Sequence, residues 1–159
     1  SADGLSASAV VGASESIARR KSNIQWLKTL TEIAESRTTK AIVIASHAEL
    51  FERLASKNRE YDVAGTLIRG GRNGPYYGVV YWMAQLASKF SKPILFVHGD
   101  GHRFVIDRPF YMSESEDEPD KARYPNVTRL QVYGAPELKA VKVKVEPDTP
   151  WVFSFSPLY

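Results

Sequence analysis

Five consecutive residues, His98-Gly99-Asp100-Gly101-His102, place two imidazoles and a carboxylate within one short turn. Side chains of these types can converge on a divalent cation, and the intervening glycines allow the tight backbone path that convergence needs. A second reading stays open, a strand-to-strand turn whose histidines are polar surface groups. His47 is the remaining histidine of the chain. A lone histidine after a strand is usually a hydrogen-bonded structural group, but a position beside residues 98–102 at one sheet edge makes His47 a candidate ligand too. Arg69 and Arg72 lie in the glycine-rich stretch Arg69-Gly70-Gly71-Arg72-Asn73-Gly74-Pro75. They could clamp a phosphate through paired guanidinium hydrogen bonds and exposed backbone N–H groups, or belong to a solvated connector that lacks the Gly-Lys-Ser/Thr ending of a phosphate-binding loop. No serine stands in a Gly-x-Ser-x-Gly elbow. The acidic run Glu114, Glu116, Asp117, Glu118 and Asp120 lacks calcium-loop spacing and reads as a solvated insertion.

The elements that must hold these residues follow from hydrophobic periodicity. Residues 1–13 have no sustained period apart from Ala9-Val10-Val11-Gly12, which could end a strand, and read as an irregular lead-in. Ile17, Ile24, Leu27, Leu30 and Ala34 recur at helical spacing from a start at Ser14 or Ser16. Ala41-Ile42-Val43-Ile44-Ala45 is a continuous apolar run, the pattern of a strand buried on both faces, and His47 sits just past it. A short helix is expected over residues 49–57. A second helix, with Pro75 in its first turn, buries Val79, Val80, Met83, Ala84, Ala87 and Phe90 and ends at Lys92-Pro93. Ile94-Leu95-Phe96-Val97 is a second buried strand that runs directly into His98. Strand, helix, strand in this order predicts parallel pairing, and functional groups in such sheets collect beyond the carboxyl ends of the strands. Both histidine segments occupy such ends. After Gly101 the period becomes two, through Phe104 and Ile106, Thr128 to Val132, Val141 to Val145, and the stripe Trp151, Phe153, Phe155, which reads as core. This predicts antiparallel strands. The fold class is therefore α/β, a parallel β-α-β part followed by antiparallel strands.

A chain of 159 residues with 43% hydrophobic and 25% charged residues can bury a core of its own. No stretch approaches the roughly 18 apolar residues that cross a bilayer. The net charge of +3 is carried by scattered lysines and arginines, without the aromatic-interleaved basic stripe of a nucleic-acid binder. The absence of cysteine excludes disulfides, thiolate metal sites and cysteine nucleophiles. Asn126-Val127-Thr128 is a formal glycosylation sequon. The chain starts at Ser1, without an initiator Met, which suggests a processed end and suits an exported or periplasmic protein.

The segment from Lys92 to Asp107, Lys-Pro-Ile-Leu-Phe-Val-His-Gly-Asp-Gly-His-Arg-Phe-Val-Ile-Asp, resembles the calcineurin-like metallophosphoesterase superfamily. The resemblance continues through Asn126-Val127-Thr128-Arg129-Leu130 and residues 141–157, and includes Asn23, Trp26 and Leu27 in the first helix. It implies a sandwich of two sheets flanked by helices and a two-metal centre that hydrolyses phosphate esters. Two such metals lower the pKa of a water and neutralise charge on the phosphate. The family's ligands come from five blocks: Asp-x-His, Gly-Asp-x-x-Asp, Gly-Asn-His-Asp/Glu, an isolated His, and Gly-His-x-His. His47 matches the isolated His and His102 the last histidine. Asp100 stands in place of the final block's first histidine, and His98 would support the ligands from behind. Glu49 replaces a proline often found two residues after the isolated His. The first three blocks are missing, and Val10-Val11-Gly12 resembles the stretch that comes directly after the third block.

The resemblance thus implies the C-terminal half of such a domain, residues 14–159, with His47, Asp100 and His102 as metal ligands. Its cofactors would be Mn, Zn, Fe or Mg ions, bound only once the site is completed. The expected partner is a complementary N-terminal half or another copy of the chain, and the chain alone would be inactive. The alternative is a non-catalytic binding or assembly subunit on the same fold, forming an oligomer through an open strand edge.

Overall fold

The computed structural model describes residues 7–34, 38–51, 74–110 and 124–159, with side chains from residue 14 onward. Its elements are α1 (Ala7–Ala34), β1 (Ile42–Ser46), α2 (Tyr77–Lys89), β2 (Ile94–His98), β3 (Val105–Asp107), β4 (Val127–Gln131), β5 (Ala140–Val145) and β6 (Phe153–Leu158). Arg69, Arg72, the acidic run and most of the helix expected over 49–57 lie outside the described residues.

Two sheets form. The first has the order β1-β2-β4-β3, and the second is the β5-β6 hairpin. The predicted parallel pairing of the two apolar runs is observed, with Ile42 opposite Ile94 and Ser46 opposite His98. The expected uniform antiparallel set after Gly101 is not. β4 runs parallel to β2, while β3 against β4 and β5 against β6 are antiparallel. Period-two alternation reports that one face is covered, and says nothing of strand direction.

Residues opposite one another in paired strands share a face, so the register sorts every side chain of the first sheet. One face carries Ile42 and Ile44, then Ile94, Phe96 and His98, then Val127, Arg129 and Gln131, then Asp107. The helices cover it. Leu27 and Ala34 of α1 and Val80, Met83, Ala84, Leu86 and Ala87 of α2 join Ile42, Ile44, Ile94, Phe96 and Val127 in one core. Removing each Val, Leu, Ile, Met or Phe side chain among them from water contributes about 1.5–3 kcal/mol. Gly78 lets α1 approach α2, since a Cβ there would stand 2.7 Å from Ile24 Cδ1.

Three expectations are corrected. α1 starts at Ala7, so Val10, Val11 and Gly12 belong to the helix rather than to an irregular lead-in or a strand end. From Ser14 to Asn23 the helix is largely exposed, Ile17 included, and packing starts near Ile24. Among the described residues β1 is an edge strand with one covered face, which leaves Val43 and Ala45 exposed. The Trp151 stripe lies outside the core: Trp151 is 73% exposed, and Phe153 and Phe155 are half-buried. The hairpin faces the second side of the first sheet across an open cavity, so its aromatic side chains are not packed closed.

Candidate functional site

Because β1, β2 and β4 are parallel, their carboxyl ends lie along one edge, and the chain leaves that edge at His47, Gly99 and Val132. The backbone ties the three exits together. Gly99 N–H donates to the His47 carbonyl at 3.2 Å, and Val132 N–H donates to the His98 carbonyl at 2.9 Å. The two histidine segments singled out by sequence are therefore neighbours, as the βαβ reading requires.

The loop between β2 and β3 holds an unusual backbone. Asp100 (φ 64°) and His102 (φ 53°) both adopt left-handed conformations, flanking Gly101. Such residues cost of order 1–3 kcal/mol each unless the surroundings hold them, and they collect at functional loops. His102 is seated against Gly134, where a Cβ would come within 2.7 Å of His102 Cδ2. The turn at residues 133–136 thus doubles as a bed for the imidazole. His47, Asp100 and His102 are all exposed at this edge.

Beneath the loop lies a buried polar layer. His98 is 1% exposed and Gln131 is fully buried, and the two are direct neighbours across β2 and β4. The His98 ring stacks on Phe96 at 5.1 Å and meets Phe51 at 6.0 Å. Its Nδ1 lies 3.1 Å from the Gly99 carbonyl. A carbonyl only accepts, so Nδ1 carries the proton and Nε2 holds a buried lone pair without a partner. Burial pushes the His98 pKa below its ordinary value and the nearby Arg129 pushes the same way, against the Gly99 hydrogen bond and the carboxylates of Glu49 and Asp107. Both polar atoms of the Gln131 amide are also buried without a partner. This amide occupies the space a side chain at position 101 would need, with Glu49 Oε1 3.0 Å from the same point. One row deeper, Arg129 Nε donates to Asp107 Oδ1 at 2.7 Å, a second guanidinium nitrogen bonds the other carboxylate oxygen, and the guanidinium lies over the Phe51 ring.

Sequence reasoning missed Glu49, Gln131 and Gly134 as parts of this edge. Glu49 is visible in the sequence only as a substitution for proline, and Gln131 carries no motif. The one signal available was the register that a parallel β2–β4 pairing would have imposed.

The shared edge does not amount to a metal centre. Among the described residues, no group of three or more His, Cys, Asp or Glu is placed so that it could hold a metal ion. His47, Asp100 and His102 share the edge without forming such a group. The orphaned atoms belong instead to His98 and Gln131, under the loop. The residues present do not fit a resident metal by themselves.

Comparison with family models, curated proteins and solved structures gives no match. The fold itself is α/β, with a mixed parallel and antiparallel sheet and a second, antiparallel one. No described helix is long and apolar enough to cross a membrane.

Proposed function

We propose that the chain is the C-terminal part of a metallophosphoesterase-like unit, presenting His47, Asp100 and His102 for phosphate-ester hydrolysis that requires further ligands from a complementary N-terminal segment. The observation that carries this reading is the hydrogen bond from Gly99 N–H to the His47 carbonyl, which brings the segments matching the fourth and fifth ligand blocks side by side at the carboxyl ends of parallel strands. The left-handed residues Asp100 and His102 support it, because a strained backbone there holds the imidazole and the carboxylate on the outer side of the loop. The described residues alone hold no complete metal group, so the reading requires ligands from elsewhere. The expected ions are Mn, Zn, Fe or Mg.

A second reading, a non-catalytic assembly subunit, draws support from β1. This apolar edge strand has neither charge nor proline to discourage pairing, and Val43 is 52% exposed.

One experiment separates the two. Hydrolysis of bis(p-nitrophenyl) phosphate is measured with Mn²⁺ for residues 1–159 and for the protein at its full natural length. The phosphoesterase reading expects background rates from residues 1–159 and metal-dependent turnover at full length, reduced at least about 100-fold by His47→Ala or His102→Ala. A full-length protein without metal-dependent turnover overturns it and leaves the assembly reading.

A further inference from the structure

A cavity of about 530 Å³ opens between the two sheets, far from the histidine edge. Pro93 and Asn126, which line it, directly precede β2 and β4, so the cavity sits at the amino ends of those strands. One wall is Ile106 and Thr128 on the face turned away from the helices. The other is Trp151, Phe153 and Phe155 of the hairpin.

Facing sheets normally interdigitate their side chains to interior density. Here they do not. Phe153 and Phe155 stay half-buried, Ile106 is 42% exposed and Trp151 is 73% exposed. A ligand laid on this wall would remove a large aromatic area from water.

The backbone beside the indole is itself an outlier. Val152 has φ 50°, a region that β-branched residues rarely enter, and its side chain is buried. Its N–H donates to Thr149, its carbonyl accepts from Glu146 N–H at 2.7 Å, and the strained turn is thereby fastened with Trp151 on the outside. Backbone strain of this kind, held by its surroundings, collects at ligand clamps. Strain and exposure coincide at adjacent residues.

The polar lining defines the chemistry. It has one carboxylate, Asp107, and one guanidinium, Arg108, together with the Asn126 amide and the Thr128 hydroxyl. Asp107 gives both carboxylate oxygens to Arg129, and Arg108 is engaged in an interaction of its own, so neither charge is offered uncompensated and the lining favours a neutral ligand. Asn126 spends its amide N–H groups on the Ala87 and Phe90 carbonyls, which leaves its oxygen as the group available to the cavity. An aromatic platform with a rim of neutral donors and acceptors matches a molecule that has an apolar C–H face and hydroxyls around its edge. The volume suits a ligand of one or two rings, within the roughly 300–1,000 Å³ of small-molecule sites.

We propose that this cavity is a saccharide-binding site, with Trp151 as the stacking platform for a neutral pyranose ring. The site stands apart from the histidine edge and does not depend on its chemistry.

Calorimetric titration of residues 1–159 with cellobiose, maltose, lactose and N,N′-diacetylchitobiose tests it. At least one disaccharide should bind saturably in the millimolar range or tighter. Trp151→Ala should weaken that binding at least tenfold while leaving the thermal midpoint unchanged, as expected of an exposed side chain. Trp26→Ala, which removes an exposed indole on α1, should leave the titration unaltered. Absence of saturable binding to all four sugars overturns the proposal, as does binding that survives Trp151→Ala.

Discussion

At Gly101 the chain has no room for a side chain. A Cβ would fall 1.7 Å from Gln131 Nε2, and Gln131 is fully buried, so its amide has nowhere to swing. The φ of Gly101 lies outside the left-handed region, so the restriction is one of space rather than of backbone freedom. Gly101→Ala should therefore destabilise the fold by about 1–3 kcal/mol, the usual cost of overpacking. Gln131→Ala in the same chain should recover part of that loss. Urea denaturation of the two single variants and the double variant measures the coupling, and strictly additive effects would show that the amide yields freely. A second residue-scale consequence concerns pH. His98 is neutral, with Nδ1 committed to the Gly99 carbonyl, so charging it adds a proton at Nε2, where no acceptor waits. Its folded pKa lies below the ordinary 6.5, so the unfolded chain binds the proton more readily. The contribution is complete above pH 6.5 and is lost as pH falls through the lowered folded value. Unfolding free energies followed from about pH 7.5 down to about pH 5 should fall more steeply in the parent chain than in His98→Leu. Equal slopes would contradict this account.

The elements differ sharply in how well they are held. Every residue of β2 except Val97 is buried, and Val127, Leu130 and Gln131 of β4 are buried as well. No residue of β5 or β6 is buried, and the hairpin borders a cavity rather than a packed interface. Local opening is easiest where few apolar contacts must be broken. Amide hydrogen exchange should accordingly rank β2 and β4 slowest, with β5 and β6 at least about tenfold less protected, a gap of about 1.4 kcal/mol in opening free energy. Uniform protection across both sheets would mean that the hairpin opens only with the whole fold. The same contrast explains where periodicity identifies buried faces and where it does not. Along α2 and at Phe90 just past its end, Val80, Met83, Ala84, Ala87 and Phe90 are buried and Val79 is half-buried, because helical periodicity tracks a single contact surface. The run Ile42 to Ala45 has the pattern of a doubly buried strand, but an edge strand has one neighbour and β1 has one covered face. Trp151, Phe153 and Phe155 have the pattern of core because period two marks a covered face, and a cavity in front of that face is invisible to the period.

For the whole molecule, the α/β class, the parallel pairing of the two apolar runs and the placement of His47 and residues 98–102 at one edge were all legible in the amino-acid sequence. The physical reason is local. Continuous apolar runs separated by an amphipathic helix have few ways to bury themselves other than as parallel neighbours, and their exits then fall on one side. Tertiary structure alone decided what lies around those exits. It set β4 beside β2 in parallel, which put Gln131 next to His98 and made Gly101 a position without space. It brought Glu49 under the loop and Gly134 under His102. It also left the hairpin off the sheet, turning an apparent core stripe into the wall of a cavity. Each of these depends on which strand pairs with which across dozens of residues, and the information for that choice is spread over the whole core rather than carried by any motif.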